Sequence, residues 1–171
     1  NDGDLDIYFT NGANIQTLRK ESPKYWNRLF ANDGKGNFTD VTEKAGLAGT
    51  GYDMGVAVGD YDNDGDQDAF LAGVHRYTFY RNNGDGTFKD VTKEAGLAEP
   101  GFGPLWAVGA AFLDFNKDGL LDLFVVNYMS WSREKEPRCE VQGVLDYCHP
   151  RYYGELPNRL YLNKGDGTFQ D

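Results

Sequence analysis

Residues 60–68, DYDNDGDQD, place five aspartates at alternate positions with a single glycine among them. A hydrophobic core has no use for that arrangement. Folded as a loop, it brings Asp60, Asp62 and Asp64 (positions one, three and five) around one point. Gly65 permits the sharp turn at position six, Asp66 offers a main-chain carbonyl at position seven, and Asp68 closes the cage. Oxygen-only donors at this spacing suit a hard divalent cation, with calcium favoured because six or more oxygens converge. Without a cation the carboxylates repel one another and the loop is costly to fold. The pattern recurs at 114–122, DFNKDGLLD, as Asp114, Asn116, Asp118, the carbonyl of Leu120, and Asp122. NDGDLD at the start carries half of it: Asp2, Gly3, the carbonyl of Asp4, and Asp6. Its first two ligand positions fall upstream of residue 1, so the chain reads as a processed, truncated or partly observed product. A lone copy could be a solvated acidic turn, but two full copies and a half in register argue against that. An EF-hand needs a Glu at position twelve and flanking helices. Position twelve here is Leu71 or Val125, and flanks such as GVAVGDY, DAFLAGV and DLFVVNYM read as strands.

A second string fixes the register. NDGKGNF (32–38), NNGDGTF (82–88) and NKGDGTF (163–169) share Asn, Gly, Gly and Phe at identical offsets. Each predicts a glycine-rich β-turn followed by a short strand that starts at Phe38, Phe88 or Phe169. NRLF (27–30), YTFY (77–80) and NRLY (158–161) precede them as strands. DVTEKAGLA (40–48) and DVTKEAGLA (90–98) follow as linkers. The pieces join into a four-strand unit. Strand A enters the acidic loop, strand B leaves it, strand C runs to the glycine turn, and strand D starts at the Phe. Strand A is rich in small residues (Gly55, Ala57, Gly59; Gly109, Ala110, Ala111), which suits a strand crowded near an axis. Tandem four-stranded units of this length are the pattern of propeller blades.

With both strings in place, the sequence resembles the FG-GAP/VCBS repeat family, the calcium-loop blades of the integrin α-subunit propeller. Its NGDGTFxDVT strings are similar to those of ASPIC/UnbV and cartilage-acidic-protein-like proteins. The resemblance covers nearly the whole chain and implies an all-β propeller segment of about three antiparallel blades, the first lacking its strand A. The blades fall at about 1–47, 53–97 and 107–171, with an insertion at 130–157. A closed propeller has roughly four to eight blades, so the segment is expected to belong to a larger or oligomeric propeller. The family includes adhesion proteins, lectin-like and carbohydrate-active secreted proteins, and many of unknown role.

The hydrophobic content of 40%, with 15% aromatic residues, is enough for a packed core. A net charge of −10, with no basic cluster, argues against nucleic acid. No apolar run is long enough to span a membrane, and no signal-peptide pattern occurs in the chain. Cys139 and Cys148 lie nine apart in one irregular segment. Free thiols would suit a reducing compartment, and zinc finds only His149 as a further ligand nearby. Calcium loops point outside the cell, where a disulfide is favoured. The expected setting is therefore extracellular, at the cell surface or periplasmic. Asn37-Phe38-Thr39 is formally a glycosylation sequon.

In an antiparallel blade the A–B loops and C–D turns leave one face and the B–C and D–A connections leave the other. The B–C connections vary most in length, and the longest, at 130–157, holds both cysteines and many aromatics. Trp131, Arg133, Arg138, Tyr147, His149, Arg151, Tyr152 and Tyr153 are the candidates there for binding a partner. Covering the neighbouring blade would explain the aromatics equally well. No GxSxG, P-loop or HExxH string accompanies His75 or His149, so the chain is expected to be non-catalytic. The expectation is a calcium-stabilised adhesion or binding scaffold for a protein or glycan. Self-assembly through open strand edges and a scaffold role in a carbohydrate-active enzyme are the alternatives.

Overall fold

The computed structural model describes residues 3–98 and 104–171 and is all-β in architecture. Strands β1 (Ile7–Phe9), β2 (Arg28–Asn32) and β3 (Phe38–Asp40) form a three-stranded antiparallel sheet in that order. Next come helix α1 (Thr42–Ala45) and strands β4 (Tyr52–Gly59), β5 (Asp68–Val74), β6 (Tyr77–Asn82) and β7 (Phe88–Asp90), which pair consecutively. β8 (Leu105–Leu113) and β9 (Asp122–Ser130) start the last unit. A small hairpin, β10 (Cys139–Val141) and β11 (Val144–Asp146), interrupts it before β12 (Arg159–Asn163) and β13 (Phe169–Gln170) complete the sheet. The unit is thus A–B–C–D in space as in sequence, and the first sheet has strands B, C and D. Among the described residues one ladder pair, Val74 with Trp106, joins the second and third sheets.

Crowding explains Gly55 of strand A, whereas a Cβ on Gly109 would meet nothing within 4 Å. A Cβ on Gly55 would lie 2.5 Å from the Val108 carbonyl and 2.9 Å from the Gly109 Cα, so β4 and β8 touch backbone to backbone. Both strands carry a register shift there, at Asp53/Gly55 and Ala107/Gly109.

The core lies between the sheets. β5 is buried along its whole length. Its alternating side chains serve two interfaces, as a period-two strand between two layers requires. Ala69 and Leu71 pack with Tyr8 and Leu29 of the first sheet, whereas Phe70 and Ala72 join Leu105, Leu123 and Val125 of the third. Phe79 has edge contacts with Tyr61 and Phe169 at 4.7 and 5.8 Å, which ties the second sheet to the end of the third.

The AGLA strings turn out to be core as well as linker. Ala45, Leu47, Ala95 and Leu97 are each at most 2% exposed. α1 ends at Gly46 with φ 77°, and that left-handed residue swings Leu47 back under the sheet.

The sequence also gave no sign of a buried ion pair. Lys20, in the loop between β1 and β2, reaches Asp53 at the start of β4 at 3.5 Å, with side chains 0% and 2% exposed. Its ammonium also donates to the carbonyls of Asn11, Gly12 and Tyr25. Asn27 Nδ2 donates to Asp53 Oδ2 at 2.9 Å. With its partners satisfied, the network clamps the first sheet onto the second, and removing one partner would strand a buried charge.

Candidate functional site

The acidic loop 60–68 joins β4 to β5 and is organised by its own backbone. Asp60 accepts from the N–H groups of Asp64 and Gly65 at 3.1 and 2.9 Å, and Asp64 accepts from Asp66 N–H at 2.8 Å. Gly65 turns at φ 92° and Asn63 at φ 57°. Asp68, fully buried at the start of β5, accepts from the N–H of Tyr61 and of Asn82. Each of Asp60, Asp62 and Asp68 offers a carboxylate oxygen, and these atoms lie within 4.8 Å of one another. Burial pushes the Asp68 carboxyl up to about 6, and the nearby Asp62 and Asp64 charges act in the same direction. Asp62 is raised by burial and then by Asp64. Three converging carboxylates with excess negative charge fit a hard cation. Asp60, Asp62, Asp64, Asp68 and the Asp66 carbonyl would hold it.

The loop 114–122 repeats the scaffold. Asp114 accepts from Asp118 and Gly119 N–H at 3.1 Å each, Asp118 from Leu120 N–H at 2.9 Å, and Asp122 from Phe115 and Asn163 N–H. Asn116 stands where the first loop has Asp62, and its amide donates to Asp118. Among the described residues only the first loop gathers three carboxylates. The half-loop keeps the closing residue: Asp6 Oδ1 accepts from Asn32 N–H at 2.9 Å. Asp2 lies outside the described residues.

The two repeated strings prove to be one device. The Asn that opens each glycine turn (Asn32, Asn82, Asn163) binds the last Asp of its own acidic loop through its N–H. Its amide reaches the carbonyl just before that Asp (Leu5, Gln67, Leu121). The position-seven side chain then presses on the turn: a Cβ on Gly34 would meet Asp4 Oδ2 at 2.6 Å, and one on Gly84 would meet Asp66 Oδ2 at 2.7 Å. Their identical offsets in sequence were the signal. Neighbouring loops also touch, through Asn63 Nδ2 donating to Gly119 O at 3.1 Å.

On the opposite face, the insertion splits the partner candidates. Trp131 is only 8% exposed and packs beside Trp106 and His75, with ring centroids 5.4 and 5.7 Å away. His75 Nε2 lies 2.7 Å from the Trp131 carbonyl. Tyr153 and Trp131 both donate to Glu136. Arg133 lies on a 3₁₀ turn, Arg133–Lys135, and Arg151 and Tyr152 on another, Pro150–Tyr152, which His149 caps by accepting from Arg151 N–H. The Arg151 guanidinium covers the Tyr152 ring at 5.0 Å. Tyr147 is 98% exposed beside the β10–β11 hairpin, away from this cluster. Arg138 pairs with Glu140 at 2.9 Å. Cys139 and Cys148 form a disulfide across the base of that hairpin, with Cα atoms 5.2 Å apart.

A model of the FG-GAP-like repeat matches residues 1–71 and 60–125. The chain belongs to the FG-GAP-like repeat family. No curated protein matches it. The two matched stretches each contain an acidic loop region and a glycine turn, the device described above. Family membership agrees with the stacked four-strand units and supports a β-propeller scaffold, and FG-GAP-like repeats are generally non-catalytic scaffolds. A disulfide and such repeats are typical of extracellular proteins. No helix among the described residues is long and apolar enough to cross a membrane.

Proposed function

We propose that this chain is a calcium-stabilised, extracellular propeller scaffold that binds a protein or glycan partner on the face opposite its acidic loops and does no chemistry itself. The observation that carries this reading is the convergence of Asp60, Asp62 and Asp68 at the hairpin between strands A and B. A bound calcium ion would supply positive charge to that cluster. The residues themselves fix the loop, orient the carboxylates and link β4, β5 and β6. Rigid acidic loops on one face leave the other face, with its long insertion, free to vary. Melting of the wild type and of Asp64→Ala in calcium and in chelator tests it. Calcium should raise the Tm of the wild type by several degrees, most of that gain should vanish in the variant, and the two should melt alike in chelator. A chelator-insensitive Tm would end the calcium reading.

Self-assembly has its own support. Ile7, Phe9 and Phe38 are exposed on the first sheet, Tyr128 and Leu162 on the third, and Phe115 on the acidic loop between β8 and β9. Light scattering in calcium separates the readings: a concentration-independent monomer removes self-assembly, and a growing assembly favours it over the binding scaffold.

A further inference from the structure

The end of β9 and the two 3₁₀ turns of the insertion enclose a cavity of about 320 Å³. That is the lower end of the size range of small-ligand sites, roughly 300–1,000 Å³. Trp131 and Tyr153 form its aromatic part with Tyr152, and Ser130, Ser132 and Lys135 line the rest. The parts are held before any ligand arrives. Ser130 N–H donates to Gly154 O at 2.7 Å, Trp131 N–H donates to Pro104 O at 3.0 Å, and the disulfide ties the hairpin between the two turns. Such preorganisation lowers the entropic cost of binding.

The polar groups are sorted. Glu136 is the carboxylate next to the aromatics, and it is engaged by the Trp131 indole and by the Tyr153 hydroxyl at 2.7 Å. What remains toward the cavity is donor-rich: the Lys135 ammonium has no ion pair among the described residues, and Ser132 and Tyr152 carry hydroxyls. The ligand should therefore be rich in acceptors, carry negative charge, and present an apolar face to the rings. A pyranose ring has such a face in its axial C–H groups and a rim of oxygens, and a uronate adds a carboxylate. An extended proline-rich peptide fits less well, because the indole N–H that would meet its carbonyls is turned inward to Glu136.

We propose that this cavity binds an acidic saccharide, with the sugar ring against Tyr152 beside Tyr153 and its carboxylate on the Lys135 ammonium. The inference rests on the reading of this face as the binding face and adds the class of ligand.

The test titrates the calcium-loaded chain with cellobiouronic acid, with neutral cellobiose and with decaproline, following tryptophan fluorescence. Cellobiouronic acid should saturate the response and bind about tenfold more tightly than cellobiose, as a charge-assisted contact implies. Lys135→Gln should bring its affinity down to that of cellobiose, and Tyr152→Ala should weaken both sugars, with the Tm of each variant unchanged. Equal affinity for the two sugars, indifference to Lys135→Gln, or tighter binding of decaproline would overturn the assignment. A chain whose Tm still responds to calcium but which ignores every sugar sinks this inference alone. A chain whose Tm ignores calcium while Lys135-dependent binding persists sinks the scaffold reading instead.

Discussion

The loops 60–68 and 114–122 share a backbone and differ in charge. In both, the first aspartate gathers two loop N–H groups, and the last one, buried at the head of strand B, holds the Asn of the glycine turn. The first loop carries Asp62 and Asp66, where the second has Asn116 and Leu120. Only in the first do three carboxylates converge among the described residues. One hydrogen-bonded frame therefore serves two electrostatic environments. The frame comes from glycine and aspartate spacing, whereas the proposed cation would answer the number of charges the frame collects. Shape and charge are separable here.

Removing Asp68 tests both at once and should have the largest effect. Asp68→Ala would take an acceptor from two backbone N–H groups, Tyr61 and Asn82, and would remove a ligand of the proposed cation. A loss of ~3–5 kcal/mol in calcium is expected, and roughly 1–3 kcal/mol of it should persist in chelator. Denaturant unfolding in both buffers reads the two parts, and a loss confined to calcium would mean that the buried hydrogen bonds contribute nothing. Asp62→Ala isolates the charge. At saturating calcium it should cost about 2.7 kcal/mol, or about 5–10 °C in Tm, against about 1 kcal/mol for Asn116→Ala, with neither felt in chelator. Equal losses at the two positions would break the contrast between the loops. Asn163→Ala isolates the frame. Its amide bridges to Tyr61 O at 2.7 Å across the sheets and to Leu121 O at 3.0 Å, whereas that of Asn82 reaches only Gln67 O, at 3.2 Å. Asn163→Ala should cost about 1–2 kcal/mol and Asn82→Ala about half of that, with or without calcium. A calcium-dependent difference between them would show that frame and charge are coupled after all.

Much of this was legible in the residues because both strings repeat at fixed offsets. The spacing of Asp60, Asp62 and Asp64, the shared Asn-Gly-Gly-Phe positions and the small residues of strand A led to the four-strand unit, its order and its two faces. Contacts between distant segments were not legible. Nothing near Lys20 in sequence marks it as buried against Asp53, and the pair exists only because the β1–β2 loop folds over β4. The AGLA strings read as linkers, since four small or aliphatic residues give no strand or helix period; their burial depends on the sheets stacked around them. Within the insertion, residue type pointed to Trp131 and Tyr147 alike. The fold buries one beneath the next sheet and leaves the other in solvent.

The most direct test of the central claim is calorimetric titration of calcium into the metal-stripped wild type and into Asp62→Ala. Two binding events in the wild type, with the tighter one lost in the variant, are the predicted result. No calcium binding, or an unchanged isotherm in the variant, would contradict the account of the acidic loops.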